Sequence, residues 1–356
     1  MCVGRTRTAA EPRVVTSAAG RGLTTVTELV EAPVHSSRVD CYLGESDNRS
    51  LANDALDGLT RPFKELSPKY FYDARGAALF DRICELPEYY PARLERAILQ
   101  ERAAEIADFV GAAEVVELGS GTAAKTRVLL DALFAGGTLR RYVPVDVTES
   151  MVHECAATLA EEYPGLYVHG VVGDFERHLV HVPARAGKRL IVMLGGTLGN
   201  FPPGSRRRLL RAIRDLIDAG DMLLLGIDLV KDRATLEAAY DDSAGVTADF
   251  NRNVLRVLNR ELDADFRLDH FEHVALFDPL QEWIEMRLRA RARHVATLGR
   301  LGLQVVFQAG EEVRTEISAK FTRGRLESDL GASGLELVEW LTDPLGQFAV
   351  TLSKRS

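Results

Sequence analysis

Apolar positions follow two rhythms along this chain. Between about 54 and 102 they recur at the three- and four-residue intervals of amphipathic helices, interrupted by aromatic segments at 70–72 and 86–91. A second rhythm starts at 114. Short apolar runs at 114–118 (EVVEL), 141–145, 167–172, 189–194 (RLIVML) and 222–226 alternate with helically spaced segments at 122–134 and 149–162. Gly204 and Ser205 read as a helix cap. Leu209, Leu210, Ile213, Leu216 and Ile217 then share one helical face, with Gly220 as the expected stop. Strands alternating with helices predict a parallel sheet covered on both faces. Pro144 cannot donate to a strand ladder, so it is expected near a strand end.

The alternation stops near 230. Residues 231–295, including FEHVALFDPLQEWIEMRLRAR, read mainly as helices and loops. The segments 335–341 and 347–353 read as a closing β-hairpin around 343–346. The pattern predicts an α/β chain: a Rossmann-like, doubly wound unit at 93–230 plus 320–356, and a second, discontinuous, mainly helical unit at 41–92 plus 231–319. Residues 1–40 are rich in Thr, Ser, Arg and Ala without a sustained period and are expected to be a disordered leader. Glu11, Glu28 and Glu31 argue against an organelle transit segment.

Composition narrows the class. With 356 residues, 46% hydrophobic and 27% charged, the chain can bury a core, which excludes disordered, collagen-like and coiled-coil readings. Its best apolar runs fall far short of the roughly 20 residues that a membrane span needs. Four cysteines form no CxxC pair, so a reducing, cytoplasmic home is expected. The 44 basic and 52 acidic residues leave a net charge of −8, unsuited to a large phosphate-backbone surface. A small-molecule partner is expected, with no nucleic acid, no membrane and a monomeric chain.

The chemistry gathers at strand ends. The first strand runs into ELGSGTAAK at 117–125, where Gly119 and Gly121 permit a tight turn and close approach of a ligand. Alone this is weak, since 119–124 also satisfies the dinucleotide pattern G-x-G-x-x-A. Asp146 ends the second strand, where a carboxylate can accept both hydroxyls of a ribose. Asp174 and Phe175 end the third, placing an acid for an adenine amino group and a ring for its face. The succession resembles class I S-adenosylmethionine-dependent methyltransferases. A nicotinamide oxidoreductase is the competing class, but no His, Lys or Tyr-x-x-x-Lys hydride partner can be placed. The fourth strand opens into GGTLGNFPP at 195–203. Nucleic-acid amino methyltransferases carry Asn or Asp, Pro, Pro, aromatic there, so a base substrate is disfavoured.

Six segments carry a narrower resemblance: YFYDARGAALFDRICELPEYYPAR, VELGSGTAAKT, GGTLGNFPP, NRNVLRVLNRELDADF, EWIEMRL and RTEISAKF. Together they resemble the histidine-specific Nα-methyltransferase family, from about residue 42 to the C-terminus. Its members make hercynine, the trimethylated betaine of histidine, in ergothioneine biosynthesis. The resemblance implies S-adenosyl-L-methionine contacts at Gly119, Lys125, Asp146, Asp174 and Phe175. It implies that Tyr89, Asn200 and Tyr240 hold the carboxylate of L-histidine and that Gly195 lines the site. Tyr72 would lie by the α-amine as the catalytic residue, with Phe80 nearby, and Met286, Glu316 and Ser318 would surround the imidazole. A paralogue acting on tryptophan or another amino acid is the alternative within the family.

Elementary chemistry is compatible with that last assignment. In an extended RTEIS segment, residues 316 and 318 point to one face. A carboxylate plus a hydroxyl suits an imidazole in either charge state. Without the resemblance, the same two residues read as the polar face of a solvated strand. The pairs His178-x-x-His181 and His270-x-x-His273 lack the partners of a metal site and read as structural. Arg206, Arg207, Arg208, Arg211 and Arg214 read as the solvated side of an amphipathic helix.

Overall fold

The computed structural model describes residues 37–356, residues 45–50 by backbone alone. The chain opens with β1 (Ser37–Cys41), α1 (Glu45–Thr60), β2 (Lys64–Glu65), α2 (Ala74–Glu85) and α3 (Tyr90–Val110). It then alternates through β3 (Glu114–Leu118), α4 (Arg127–Ala135), β4 (Arg141–Asp146), α5 (Glu149–Glu162), β5 (Tyr167–Val172), β6 (Arg189–Met193), α6 (Pro203–Arg214) and β7 (Met222–Asp228). Two helices follow, α7 (Arg233–Ala238) and α8 (Val246–Leu262). Five strands come next: β8 (Phe271–Asp278), β9 (Trp283–Ala290), β10 (His294–Leu298), β11 (Leu303–Phe307) and β12 (Glu312–Ala319). The chain closes with α9 (Arg323–Gly331), β13 (Leu335–Thr342) and β14 (Phe348–Arg355).

Eight strands form one sheet in the order β1-β5-β4-β3-β6-β7-β14-β13. The first six are parallel, and the β13–β14 hairpin joins antiparallel to β7. The sheet reads as near-continuous apolar runs because both faces are covered. Leu99 and Ile106 of α3, Leu129 and Leu130 of α4 and Leu159 of α5 pack on one face. Leu209, Leu210 and Ile213 of α6, with Leu326 and Leu330 of α9, pack on the other. Chain order reverses between β3 and β6, the topological switch point where open α/β sheets hold ligands beyond their carboxyl ends. A separate apolar core joins α1, α2 and α8 to a four-stranded sheet, β2-β12-β9-β8.

Several expectations need correction. Residues 37–40, assigned to a leader, lie in β1 and pair with β5; the rest of that segment lies outside the described residues. Cys41 also belongs to β1 of the large sheet rather than to the second core. The stretch at 271–298, read as helices and loops, forms strands, so the second core is helix on sheet and not mainly helical. β8 and β9 make an antiparallel hairpin whose tip spans 279–282. The helix expected to begin at 122 starts at Arg127, because Gly119, Gly121 and Ala123 all take left-handed conformations and prolong the loop. Pro144 sits inside β4, where the ladder to β5 lapses at 143–144 and spares its missing N–H.

α6 departs from its expected form at both ends. Its N-terminus is set by Pro202 and Pro203 rather than Ser205, and it stops at Asp215. Arg206 is not solvated. It is 1% exposed, pairs with Asp329 of α9 at 2.7 Å and lies over the Phe321 ring at 4.9 Å. A carboxylate more than a hundred residues away thus pulls one arginine of an otherwise outward row into the layer between two helices.

Candidate functional site

One cavity of about 650 Å³ opens at the carboxyl ends of β3 to β6 and runs under β12. Its walls include Tyr72, Phe80, Tyr89, Gly119, Lys125, Asp146, Asp174, Phe175, Gly195, Asn200, Tyr240, Glu316 and Ser318. These are all but one of the site residues expected from the sequence. Met286 is the exception. It is buried in the second core, opposite Glu316 in the β9–β12 ladder, and does not form part of the wall.

The strand ends hold the glycine loop in shape. Asp146 accepts one hydrogen bond from the Gly121 amide at 3.0 Å and another from the Thr148 amide at 2.9 Å. Asp174 accepts from the Glu176 amide at 2.9 Å, and its own amide donates to His178 Nδ1 at 3.0 Å. Lys69 stands 3.6 Å from the other Asp174 oxygen. Phe175 meets Phe201 edge to face at 6.1 Å. Glu95 of α3, fully buried, accepts from Lys125 Nζ at 2.9 Å and from the Gly195 amide at 2.7 Å. Burial opposes the charge on Lys125, but Glu95 outweighs it and holds its pKa above the usual lysine value. Glu117, under hydroxyls donated by Thr126 and Tyr142, is pushed up to about 7 by burial.

The opposite end is aromatic and polar by turns. Tyr72 meets Phe80 at 5.6 Å, Phe80 meets Tyr89 at 6.2 Å, and Tyr89 meets Tyr240 at 6.1 Å, each edge to face. Burial, reinforced by Glu316, holds the Tyr72 phenol well above its ordinary pKa. Tyr240 Oη and Ser318 Oγ share a hydrogen bond at 2.7 Å. Burial pushes Glu316 up to about 8, against the pull of Lys320. The cavity therefore joins an acid-tipped, glycine-rich end to an aromatic end carrying a carboxyl and hydroxyls.

A profile of histidine-specific, S-adenosylmethionine-dependent methyltransferases matches residues 51–355. The chain belongs to that family. It is 50% identical over 315 residues to a histidine N-alpha-methyltransferase of Mycobacterium tuberculosis, covering 88% of this chain and 98% of that protein. It is also 50% identical over 311 residues to a protein of the same description from Mycolicibacterium smegmatis, covering 87% and 97%. Ergothioneine biosynthesis protein 1 of Neurospora crassa is 29% identical over 286 residues, covering 78% of this chain and 32% of that protein.

The chain is thus an S-adenosylmethionine-dependent methyltransferase, and its cavity has groups suited to that cofactor. Both Asp146 oxygens carry a backbone hydrogen bond and keep further acceptor capacity for ribose hydroxyls. Gly119, at φ +78°, presents bare backbone to the cavity, and a Cβ there would lie 3.8 Å from the Phe175 ring. Sequence reasoning on the methyltransferase missed Glu95, Glu117, Phe201 and Arg314, which hold or line the site. It also missed Lys320, behind Tyr240 and Ser318. Of these, Glu117, Phe201, Arg314 and Lys320 stand inside motifs already quoted, whereas Glu95 has no local signal. Among the described residues no helix is long and apolar enough to cross a membrane.

Proposed function

We propose that this methyltransferase converts L-histidine into hercynine by three successive methyl transfers to the α-amine, in ergothioneine biosynthesis, as a cytoplasmic monomer. One observation carries the reading. A single cavity is lined by Gly119, Asp146 and Asp174 at one end and by Tyr89, Tyr240, Glu316 and Ser318 at the other, with Tyr72 also in its wall. The proposed roles follow that order: cofactor at the strand ends, amino-acid carboxylate at Tyr89, Asn200 and Tyr240, imidazole at Glu316 and Ser318. Met286 supports Glu316 from the core. The division into a cofactor unit at 93–230 plus 320–356 and a substrate unit at 41–92 plus 231–319 belongs to the same proposal. Separate apolar cores support it, with the correction that Cys41 lies in β1.

Bound S-adenosylmethionine supplies a methyl on a sulfonium. The chain's own residues must deliver an unprotonated amine in line with it, so alignment is their main contribution. Fixing the substrate at carboxylate and ring leaves the amine between them, beside Tyr72. That phenol keeps its proton at neutral pH and orients the amine through a hydrogen bond; solvent takes the proton released in each round. Three rounds end the sequence because a trimethylammonium nitrogen has no lone pair.

Mass spectrometry of purified protein with S-adenosylmethionine and histidine, with tryptophan and tyrosine in parallel, tests the reading. Gains of one, two and three methyls on histidine alone are expected. Methylation of tryptophan instead would overturn the imidazole assignment.

A further inference from the structure

Behind Tyr240 and Ser318 lies a buried group of charges. Lys320 is wholly buried, and its ammonium donates to Tyr240 Oη, to Ser318 Oγ and to Asp228, each at 2.9 Å. Asp228, 4% exposed, also takes Lys231 at 2.5 Å and accepts the Tyr90 hydroxyl at 2.8 Å. Two ammoniums thus share one carboxylate, an arrangement with one net positive charge. Burial opposes ionisation of Lys320 and Asp228, but their mutual attraction prevails and keeps both ionised.

The hydrogen bonds can be counted. A lysine ammonium has three donors and no acceptor. All three on Lys320 are used, and each fills a lone pair on its partner. Tyr240 and Ser318 own two hydroxyl protons, and their mutual bond at 2.7 Å consumes one. When Ser318 donates, Tyr240 keeps its proton and Ser318 keeps one lone pair, and both side chains line the cavity. Beside that Ser318 lone pair, a ligand meets the Tyr240 proton with a positive charge directly behind it. That suits a carboxylate, an anion that only accepts.

We propose that Lys320 is the positioning residue for the substrate carboxylate, holding both hydroxyls of the Tyr240–Ser318 pair and supplying the balancing charge. This rests on the reading that Tyr240 faces the carboxylate of an amino acid. It also explains why a lysine can be wholly buried beside a cavity without entering it: its three partners leave no donor for the ligand.

The test compares L-histidine with L-histidinamide, which keeps ring and amine but carries a neutral amide in place of the carboxylate. Wild-type protein should prefer histidine by at least about 100-fold in kcat/KM; equal use would overturn the carboxylate reading itself. Lys320→Met leaves the Asp228–Lys231 pair balanced. It should raise the histidine KM about 10- to 100-fold, or ~1.4–2.7 kcal/mol, leave kcat and S-adenosylhomocysteine affinity within about threefold, and barely affect the amide, because it removes the positive charge behind Tyr240. An equal fall for both substrates would assign Lys320 a purely structural role and overturn the proposal. Asp228→Asn covers the case in which that variant fails to fold. It retains both ammoniums and should keep the preference for histidine, whereas loss of the preference in folded protein would overturn the proposal.

Discussion

Glu95 and Gly226 occupy adjoining space: a Cβ built at residue 226 would lie 1.8 Å from Glu95 Oε1. The glycine in the middle of β7 therefore makes room for a carboxylate that spans to Lys125 and the Gly195 amide. Gly226→Ala should displace Glu95 and lower kcat/KM by more than about tenfold, since displacement strands a buried charge at a cost of ~3–5 kcal/mol. Kinetics of the folded variant checks this. Wild-type rates would separate Glu95 from the site's function.

Asp146 should dominate cofactor affinity. Asp146→Asn keeps the size but loses the charge, and the dissociation constant for S-adenosylhomocysteine should rise about 10- to 100-fold, the worth of a charge-assisted hydrogen bond. Calorimetric titration measures it directly.

Tyr72→Phe removes one hydroxyl and little volume. The expected result is a fall in kcat of about 10- to 100-fold with histidine KM within threefold, as for a hydrogen bond made as the amine aligns. Time-resolved mass spectrometry should also show mono- and dimethylated intermediates accumulating differently. Unchanged rates and order for all three methylations would remove Tyr72 from its role.

Glu316 makes two separable predictions. Glu316→Ala should raise the histidine KM about 10- to 100-fold and admit bulkier aromatic amino acids, because it removes a ring acceptor and opens volume. Unchanged selectivity would take Glu316 out of the ring site. The second concerns stability without ligand. Folding raises the carboxyl from 4.5 to about 8, so the folded state holds the proton more tightly than the unfolded chain. Stability is then lost as pH rises from 4.5 through about 8, by at most ~5 kcal/mol. Glu316→Gln lacks that loss, so its melting temperature should exceed wild type by more at pH 9 than at pH 5. A gap independent of pH would contradict the raised value.

The sequence was most informative where local pattern and long-range structure agree. The runs that became β3 to β7 are apolar because both sheet faces are covered, and the acids at their ends stand out against those runs. The closing hairpin was legible from its turn residues. The β8–β9 hairpin was not. In β9, Trp283, Ile284, Glu285 and Met286 are all buried, so the two-residue alternation that marks a half-exposed strand is lost. Arg206 and Glu95 failed for another reason. Each sits in a charged helical stretch, and its partner comes from a distant element: Asp329 for the first, Lys125 and the Gly195 amide for the second. Lys320 was printed within a quoted motif, but its significance depends on Asp228 meeting it across the core.

β1 also has a bearing on how the N-terminus can be trimmed. It lies parallel along the whole of β5, from Ser37 opposite Val168 to Cys41 opposite Val172, and Tyr42 continues it by stacking on His181 at 3.9 Å. Shortening the chain beyond residue 36 would leave the β5 backbone, in the segment YVHGVV, without its outer partner. An uncovered strand of that composition is a template for self-association, so such trimming would trade a tidy N-terminus for aggregation.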